Sequence, residues 1–245
     1  MKEDIETKIV RLRNAYQDNS SELPEDEVKQ IECHLFRLYE CKYFLIGQRI
    51  KNFDSERYLS DHNYYRKIWR EVDESWDSAV STQLYNMAID KILENELYKA
   101  GVFFLQSATM GDPDSQYNLG ITVSNGEMGE ADKLLGAFWF WEAAKHGHSK
   151  AMYNLASAYS GDGGVKVNHL QKIYWLAKAA ESCDYAKAVY ALGQSLVHDI
   201  ESDEWKPYGE ALMQKSENLE DNRNDIVALA DRIVELLADR VYNVE

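Results

Sequence analysis

A short pattern centred on a tyrosine recurs four times, and it constrains the fold more than any other feature of the sequence. In each copy the tyrosine is followed by Asn or Ala, then by Met or Leu, then by a small residue. The copies are Tyr85-Asn86-Met87-Ala88, Tyr117-Asn118-Leu119-Gly120, Tyr153-Asn154-Leu155-Ala156 and Tyr190-Ala191-Leu192-Gly193. Successive tyrosines are 32, 36 and 37 residues apart. A period in the thirties, built of helix-forming residues, predicts a stack of helix pairs.

A second pattern, an aromatic segment that ends in alanine, lies between the tyrosine copies. It occurs as Phe103–Ala108, Trp139–Ala144 and Trp175–Ala180, at intervals of 36 residues. Each repeat is therefore predicted to contain a helix A with the tyrosine and a helix B with the aromatic residue. We expect Trp139 and Trp175 to be buried between successive helix pairs.

The third copy carries the residues of a recognisable motif. Its loop contains Tyr159, Gly161, Gly163-Gly164-Val165 and Asn168, and its helix B contains Trp175 and Lys178-Ala179-Ala180. This arrangement resembles the Sel1-like repeat, a tetratricopeptide-related family with the approximate pattern AxYxLGxxYxxGxGVxxDxxKAxxWxxKAAxxG. It departs from that pattern by one additional glycine and by Asn168 where Asp is usual.

The resemblance covers residues 79–208 and is specific for the fold. It implies an all-α protein, a right-handed α-solenoid of stacked antiparallel helix pairs with helical caps at both ends. It indicates little about function, because such repeats serve many partners. The domain prediction is an N-terminal helical cap region at 1–78, about four Sel1-like helix pairs at 79–220, and a C-terminal capping helix at 221–245.

Outside the repeats, helices are predicted from apolar periodicity. In the first third they cover Glu3–Asp18, Glu25–Ile50, with Leu45 in its apolar face, and Ser55–Val72. A final helix, capped by Asn222 or Asn224, is predicted to run to Tyr242.

Within the repeats, polar and small residues predict where helices begin, end and approach each other. Asp132 and Asn168 precede two helices B and are good N-caps. Gly111 and Gly147 follow two helices B, as C-terminal glycines do. Cys183 takes that place in the next repeat. Small residues that allow close helix contact are Ala88, Gly120, Ala156 and Gly193.

Composition excludes several classes of partner. The 245 residues are 45% hydrophobic and 28% charged, which indicates a globular protein. The net charge of -15 disfavours DNA, RNA and anionic lipid, which repel an acidic surface. It favours a protein partner with a basic docking surface, although acidity also serves solubility alone.

No catalytic or metal-binding constellation is found in the sequence. Cys33, Cys41 and Cys183 are odd in number and have no metal-like spacing, so we predict free thiols and no metal site. Gly161–Gly164 is explained as the turn of a repeat rather than as a phosphate loop, and His146 and His148 as parts of a turn. We therefore predict no catalytic residues and no cofactor.

The cellular compartment is predicted from two kinds of segment that the sequence lacks. The segment MKEDIETKIV lacks the apolar core of a signal peptide, and no run of eighteen apolar residues is present. We expect a cytoplasmic protein without membrane insertion. Short arrays of this kind resemble bacterial ones, so the bacterial cytoplasm is the expected location.

The predicted binding surface is the exposed face of the helices A, placed by projection at about 100° per residue. In such arrays the helices A line an inner surface that forms a binding groove. The predicted partner-binding residues are Tyr85, Asn86, Tyr117, Asn118, Ile121, Tyr153, Asn154, Tyr190 and Gln194. The alternative is that each tyrosine packs only on its neighbours in the stack.

Together these features favour a non-enzymatic protein-binding module. The first hypothesis is a cytoplasmic inhibitor, such as the cognate immunity protein of a bacterial toxin, because the chain is small, acidic and has a non-repetitive N-terminal third. The alternative is a scaffold or regulatory adaptor in a bacterial signalling or envelope complex. An enzyme is the third and weakest hypothesis.

Overall fold

The computed structural model describes residues 4–18, 23–73, 78–161, 163–182, 185–200 and 205–237, and all regular secondary structure in these ranges is helical. The chain divides into two compact units, one that ends at Asp112 and one that begins at Pro113. Cys183 and the predicted helix end at Tyr242 lie outside the described residues. No helix among those described is long and apolar enough to cross a lipid bilayer.

The first unit consists of seven described helices. They are α1 (Ile5–Asp18), α2 (Glu25–Tyr43), α3 (Ile46–Arg49), α4 (Ser55–Ser60), α5 (His62–Asp73), α6 (Ser78–Leu93) and α7 (Leu97–Ala108). The helices α6 and α7 pack as a pair and contain the first tyrosine copy and the first aromatic segment.

The predicted long helix over residues 25–50 is wrong, because it breaks after Tyr43. Leu45 adopts a left-handed conformation with φ 50° and ψ 40°, which an α-helix cannot contain. Phe44 is buried and its ring meets the Trp69 ring edge to face, with centroids 5.1 Å apart. Burial of Phe44 accompanies the break, and it leaves Leu45 49% exposed rather than in the core as predicted.

The predicted helix over residues 55–72 is also divided, at Asp61. The Asp61 carboxylate accepts hydrogen bonds from the backbone N–H groups of Asn63 and Tyr64, at 3.0 and 3.1 Å. These bonds satisfy donors that would otherwise be unpaired at a helix start. Asp61 therefore begins α5 instead of continuing α4.

A buried carboxylate holds the centre of the first unit together. Glu40 is fully buried on α2, and its Oε2 atom accepts a hydrogen bond from the Tyr58 hydroxyl at 2.8 Å. Its Oε1 atom accepts from the Tyr65 hydroxyl at 3.0 Å and from the Trp69 indole N–H at 2.9 Å. The carboxylate thus connects α2 to both α4 and α5.

The second unit is a run of consecutive helix pairs followed by a long helix. Its described helices are α8 (Pro113–Asn125), α9 (Lys133–Lys145), α10 (Ser149–Ala158), α11 (His169–Glu181), α12 (Ala186–His198), α13 (Lys206–Lys215) and α14 (Leu219–Leu237). The pairs are α8 with α9, α10 with α11 and α12 with α13, while α14 packs on α11 and α13. The predicted class, an all-α solenoid of stacked helix pairs, is confirmed.

The last helix starts earlier than predicted. Asn222 and Asn224 were expected to cap it, but both lie inside α14, which begins at Leu219. The Asn222 side chain donates instead to the backbone carbonyl of Asn218 at 2.8 Å.

The helix ends of the repeats follow the sequence predictions. Asp132 Oδ1 accepts from the N–H of Leu135 at 3.0 Å, and Asn168 Oδ1 accepts from the N–H of Gln171 at 2.9 Å. Gly111 and Gly147 have φ angles of +90° and +82°, in the left-handed region that glycine adopts without strain.

Close approach at small residues is confirmed within two of the pairs. A Cβ atom on Gly120 would lie 2.6 Å from the Phe140 ring, and one on Gly193 would lie 2.6 Å from the carbonyl oxygen of Gly209. Trp139 and Trp175 are buried, as predicted.

Candidate functional site

In the second unit, the tyrosines of the first two helices A each contact the residue that caps the next helix A. The Tyr117 ring on α8 stacks on the His148 ring at 4.5 Å with an interplanar angle of 22°. The Tyr153 ring on α10 meets the Tyr185 ring edge to face at 5.2 Å. His148 and Tyr185 are the N-cap residues of α10 and α12. These contacts place α8 beside α10 and α10 beside α12.

The two asparagines next to these tyrosines have different roles. Asn154 on α10 donates to the Tyr117 hydroxyl, which adds a second link between α8 and α10. Asn118 donates to the backbone carbonyl of Asp114 within its own helix, at 2.8 Å. Burial and the nearby Tyr185 raise the pKa of the Tyr117 phenol, while the Asn154 hydrogen bond opposes that rise.

His148 makes three contacts at the junction between the two repeats. Its Nδ1 atom accepts from the N–H of Ala151 at 3.1 Å, and its Nε2 atom lies 3.2 Å from Asp114 Oδ1. Burial lowers the pKa of His148, and the neighbouring Asp114 carboxylate opposes this shift only in part. The neutral ring with its proton on Nε2 satisfies both contacts, because Nδ1 is then free to accept.

Seven of the predicted residues lie on the three helices A of the second unit, and we call this set the A-helix face. Its members are Tyr117, Asn118, Ile121, Tyr153, Asn154, Tyr190 and Gln194. Tyr117 and Tyr153 are half-buried, whereas Tyr190 is 46% exposed and has no ring contact among the described residues. The first two tyrosines thus pack on the next repeat and still present a surface.

The other two predicted residues belong to the first unit. Tyr85 lies on α6 with its ring 5.9 Å from that of Phe104, and Asn86 is exposed beside it. The other seven lie on α8, α10 and α12, and Tyr85 and Asn86 form a separate pair.

A pocket of about 350 Å³ opens beside the A-helix face, between α10, α11 and α12. Tyr153 and Gln194 line it, so two of the predicted residues reach this pocket. Its wall also contains an ion pair between Lys172 Nζ and Asp199 Oδ2 at 2.8 Å. This pair could not be predicted from the sequence, because its two residues are 27 positions apart and nothing in the repeat pattern pairs them.

The Asp199 carboxylate is held in its charged form. Burial acts to raise its pKa, but hydrogen bonds from Lys172 and Ser195 outweigh that effect and lower it. His169 adds a smaller favourable charge, with its Nδ1 atom 3.8 Å from Asp199 Oδ1.

The described residues contain no group of three or more His, Cys, Asp or Glu side chains that could hold a metal ion. Burial raises the pKa of the Cys33 and Cys41 thiols to about 12. Thiols with such pKa values stay protonated at neutral pH and are poor nucleophiles. The chemistry that the A-helix face and its pocket offer is hydrogen bonding, aromatic contact and charge.

The family resemblance is confirmed over the central part of the chain. Residues 113–148 and 149–182 match the Sel1 repeat, so α8 with α9 and α10 with α11 are two Sel1 repeats. No curated protein matches the sequence.

One solved structure shows the same fold. A Sel1 repeat protein from Oxalobacter formigenes is similar with a TM-score of 0.52 and 17% identity, over 88% of this chain and 62% of that one. A protective antigen of uropathogenic Escherichia coli, described as having an SLR fold, gives a TM-score of 0.44 and 19% identity, over 97% and 56% of the two chains. This chain therefore spans about three fifths of the length of these structures.

Proposed function

We propose that this chain, whose central helix pairs are two Sel1 repeats, is a non-enzymatic protein-binding module that holds its partner on the A-helix face. Repeats of this kind are protein-interaction scaffolds. One observation carries the proposal: Tyr117, Tyr153 and Tyr190 occupy the same repeat position of three successive helices A with partly exposed rings, and Tyr153 also lines a pocket.

The geometry of the row suits an interface. Tyrosine offers a large rigid contact area with one polar tip, and it is enriched among residues that dominate binding energy. The rings of Tyr117 and Tyr153 are already held by His148 and Tyr185. Because these side chains are ordered before binding, less conformational entropy is lost when a partner docks.

The partner is proposed to be a protein with a basic docking surface. The net charge of -15 attracts such a surface at long range, and it repels nucleic acid and anionic membranes. Exposed carboxylates on and after α13, including Glu210 and Glu217, extend the acidic surface near the C-terminal end of the described residues.

Within this class we propose a cytoplasmic inhibitor, such as the immunity protein of a bacterial toxin. An inhibitor needs one surface complementary to one enzyme, and we propose that the A-helix face with its pocket provides it. The first unit, with its own aromatic core around Glu40, is available to add specificity. If the chain is an inhibitor, it should form a stoichiometric complex in which the enzymatic activity of the partner is lost.

A second observation favours a scaffold or regulatory adaptor instead. The turn between α6 and α7 exposes apolar side chains, with Leu93 81% and Tyr98 62% exposed. Exposed apolar patches mark interaction sites, and a scaffold requires a second one. A complex with two different proteins bound at once would favour the scaffold over the inhibitor.

The test is kinetic and uses a partner captured from the native cell. Tyr190→Ala is the cleanest variant, because the Tyr190 side chain makes no hydrogen bond and no aromatic contact among the described residues. It should raise the dissociation rate and leave the association rate nearly unchanged, whereas added salt should slow association of the wild type. Val10→Ala is the matched control, because Val10 is an exposed apolar side chain of the other unit outside both proposed surfaces.

A double variant, Tyr117→Phe with Tyr153→Phe, removes both hydroxyls and keeps the ring contacts with the next repeat. Together with Tyr190→Ala it changes all three tyrosines of the A-helix face. If all three substitutions in one folded protein leave the partner affinity unchanged, the A-helix face is not the binding site.

A further inference from the structure

The pocket lies where one helix pair departs from its neighbours. The α8–α9 and α12–α13 pairs each cross at two glycines, and a Cβ atom on Gly136 or Gly209 would approach the facing glycine carbonyl to 2.9 or 2.5 Å. In the α10–α11 pair, the positions 36 residues after Gly120 and Gly136 are Ala156 and Lys172. Both residues line the pocket. Ala156 and Lys172 thus carry side chains where the flanking pairs have facing glycines, at the place where the pocket opens.

Several polar side chains in the pocket have hydrogen-bonding groups to offer. Five polar side chains that line the pocket make no hydrogen bond to another described residue, and they are those of Tyr153, Ser157, Ser160, Gln194 and His198. Ala156, Leu176 and Ala191 supply an apolar part of the wall. The pocket therefore combines an apolar lining with acceptors that nothing in the described fold occupies.

Two helix ends give the pocket a preference for a cation. Ser157 lies in the last turn of α10, and Asp199 is the C-cap residue of α12. Helix C-termini carry partial negative charge, which favours cations, although the N-terminus of α11 opposes this effect. The Asp199 carboxylate accepts from Lys172 through Oδ2 and also from Ser195, and its Oδ1 atom is 3.8 Å from the His169 ring, which is beyond hydrogen-bond distance.

We propose that this pocket receives an arginine side chain of the partner protein. The guanidinium group would donate to Asp199 Oδ1 and to the hydroxyls of Ser157 and Ser160, with its methylene groups on Leu176 and Ala191. A carboxylate has about four acceptor positions, so Asp199 can hold Lys172 and a guanidinium together. This inference rests on the proposed function, and it names the chemistry of the residue that anchors the basic partner.

Arginine fits better than lysine for two reasons. Its planar guanidinium offers five N–H donors to acceptors arranged around it, whereas the lysine ammonium is a compact, strongly hydrated charge. It also stacks on aromatic rings, and Tyr153 supplies a ring in the pocket wall. A lysine ammonium would meet the Lys172 ammonium as a second point charge without either gain.

The experiment uses the full chain labelled with ¹⁵N and a small probe in place of the partner. N-acetyl-arginine amide should shift the amide resonances of residues around Gln194 and Asp199 in a saturable titration. N-acetyl-citrulline amide has nearly the same shape without the charge and should bind about tenfold more weakly. N-acetyl-lysine amide should also bind more weakly than the arginine probe.

Two variants locate the site. Asp199→Asn should weaken the arginine probe about tenfold, whereas Asp225→Asn removes a carboxylate paired with Lys215 outside the pocket and should have no effect. Ala191→Phe fills the pocket without changing a charge and should abolish binding in a protein whose amide spectrum is otherwise unchanged.

Equal affinity for the arginine and citrulline probes, or saturable binding that survives both pocket variants, would overturn the inference. The proposed function fails separately, if substitutions on the tyrosine row leave the partner affinity unchanged. If the tyrosine substitutions weaken partner binding but the arginine probe does not bind selectively, the A-helix face remains the proposed interface. The pocket is then not an arginine site.

Discussion

The two units of this chain hold their helices together in different ways. In the first unit, the side chains of Tyr58, Tyr65 and Trp69 converge on one buried carboxylate, Glu40. In the second unit, helices cross where side chains are absent, as at Gly193 and its facing glycine. The first arrangement depends on residues that occur once, and the second depends on a position that repeats.

This difference has a consequence for how each unit tolerates change. Disrupting a buried hydrogen-bonded carboxylate is strongly destabilising, because the donors around it lose their acceptor at a buried site. A glycine crossing fails only when an added atom forces two backbones apart. The first unit should therefore be vulnerable to deletion of a side chain, and the second to addition of one.

The largest expected effect comes from Glu40→Ala. It leaves two buried hydroxyls and one indole N–H without their acceptor, and we expect a loss of about 3–5 kcal/mol of unfolding free energy. Hydrogen exchange measured residue by residue should show the greatest loss of protection in α2, α4 and α5. Glu40→Gln is the matched control, because it keeps an acceptor oxygen and nearly the same volume.

An equal loss of protection in α9 and α11 would contradict this contrast between the two units, since Glu40 would then stabilise both of them. A loss with Glu40→Gln as large as with Glu40→Ala would show that the charge of the carboxylate, rather than its acceptors, is required.

The second effect concerns the glycine crossing between α12 and α13. A Cβ atom on Gly193 would lie 2.6 Å from the Gly209 carbonyl oxygen and 2.7 Å from Met213 Cγ. Gly193→Ala should therefore destabilise the protein by about 1–3 kcal/mol, although alanine favours a helix over glycine by up to about 1 kcal/mol. Chemical denaturation of Gly193→Ala, Gly209→Ala and the double variant gives the measurement.

The double variant sharpens this prediction. Once one added methyl group has separated the helices, the second should cost less, so the two losses should not add. Fully additive losses would mean that each methyl group meets a different obstacle and that the two glycines do not share one crossing.

A smaller effect, of opposite sign, is expected at the helix break of the first unit. Leu45 has φ 50°, a conformation that costs a residue with a Cβ atom about 1–2 kcal/mol. Leu45→Gly should raise the melting temperature and stabilise the fold by about 0.5–1 kcal/mol, after allowance for the greater entropy of glycine in the unfolded chain. Leu45→Ala keeps the backbone strain, and a gain as large as that of Leu45→Gly would contradict this explanation.

The same contrast explains which features could be predicted from sequence. The caps Asp132 and Asn168 were predicted because the repeat shows their positions twice. The break at Leu45 was missed, since a leucine carries no signal for a left-handed conformation and only the burial of Phe44 accompanies it. Asp61 had the residue type of an N-cap, but the apolar residues on both sides of it concealed the break.

The candidate site divides in a similar way. The row of tyrosines follows from helical periodicity, so its members in the second unit could be placed on one face before the structure was known. The ion pair between Lys172 and Asp199 could not, because it joins two helices through residues that fall outside the pattern. A sign was present nonetheless: Lys172 stands where the flanking pairs have Gly136 and Gly209.

The smallest expected effect is a pH dependence of the unfolding free energy, which arises at the junction of the two Sel1 repeats. There the second unit has a titratable N-cap residue, His148. Burial lowers the pKa of His148 below its unfolded value of about 6.5. The unfolded chain then binds the proton more readily, so the stabilisation is complete above about pH 6.5 and is lost as the pH falls below it. Protonation of Nδ1 also removes the acceptor for the Ala151 N–H, a cap of about 1 kcal/mol.

His148→Asn keeps a capping oxygen and cannot titrate, so the unfolding free energy of the wild type should fall more steeply from pH 7 to 5 than that of the variant. Parallel profiles would show that the Asp114 carboxylate compensates fully for the buried charge.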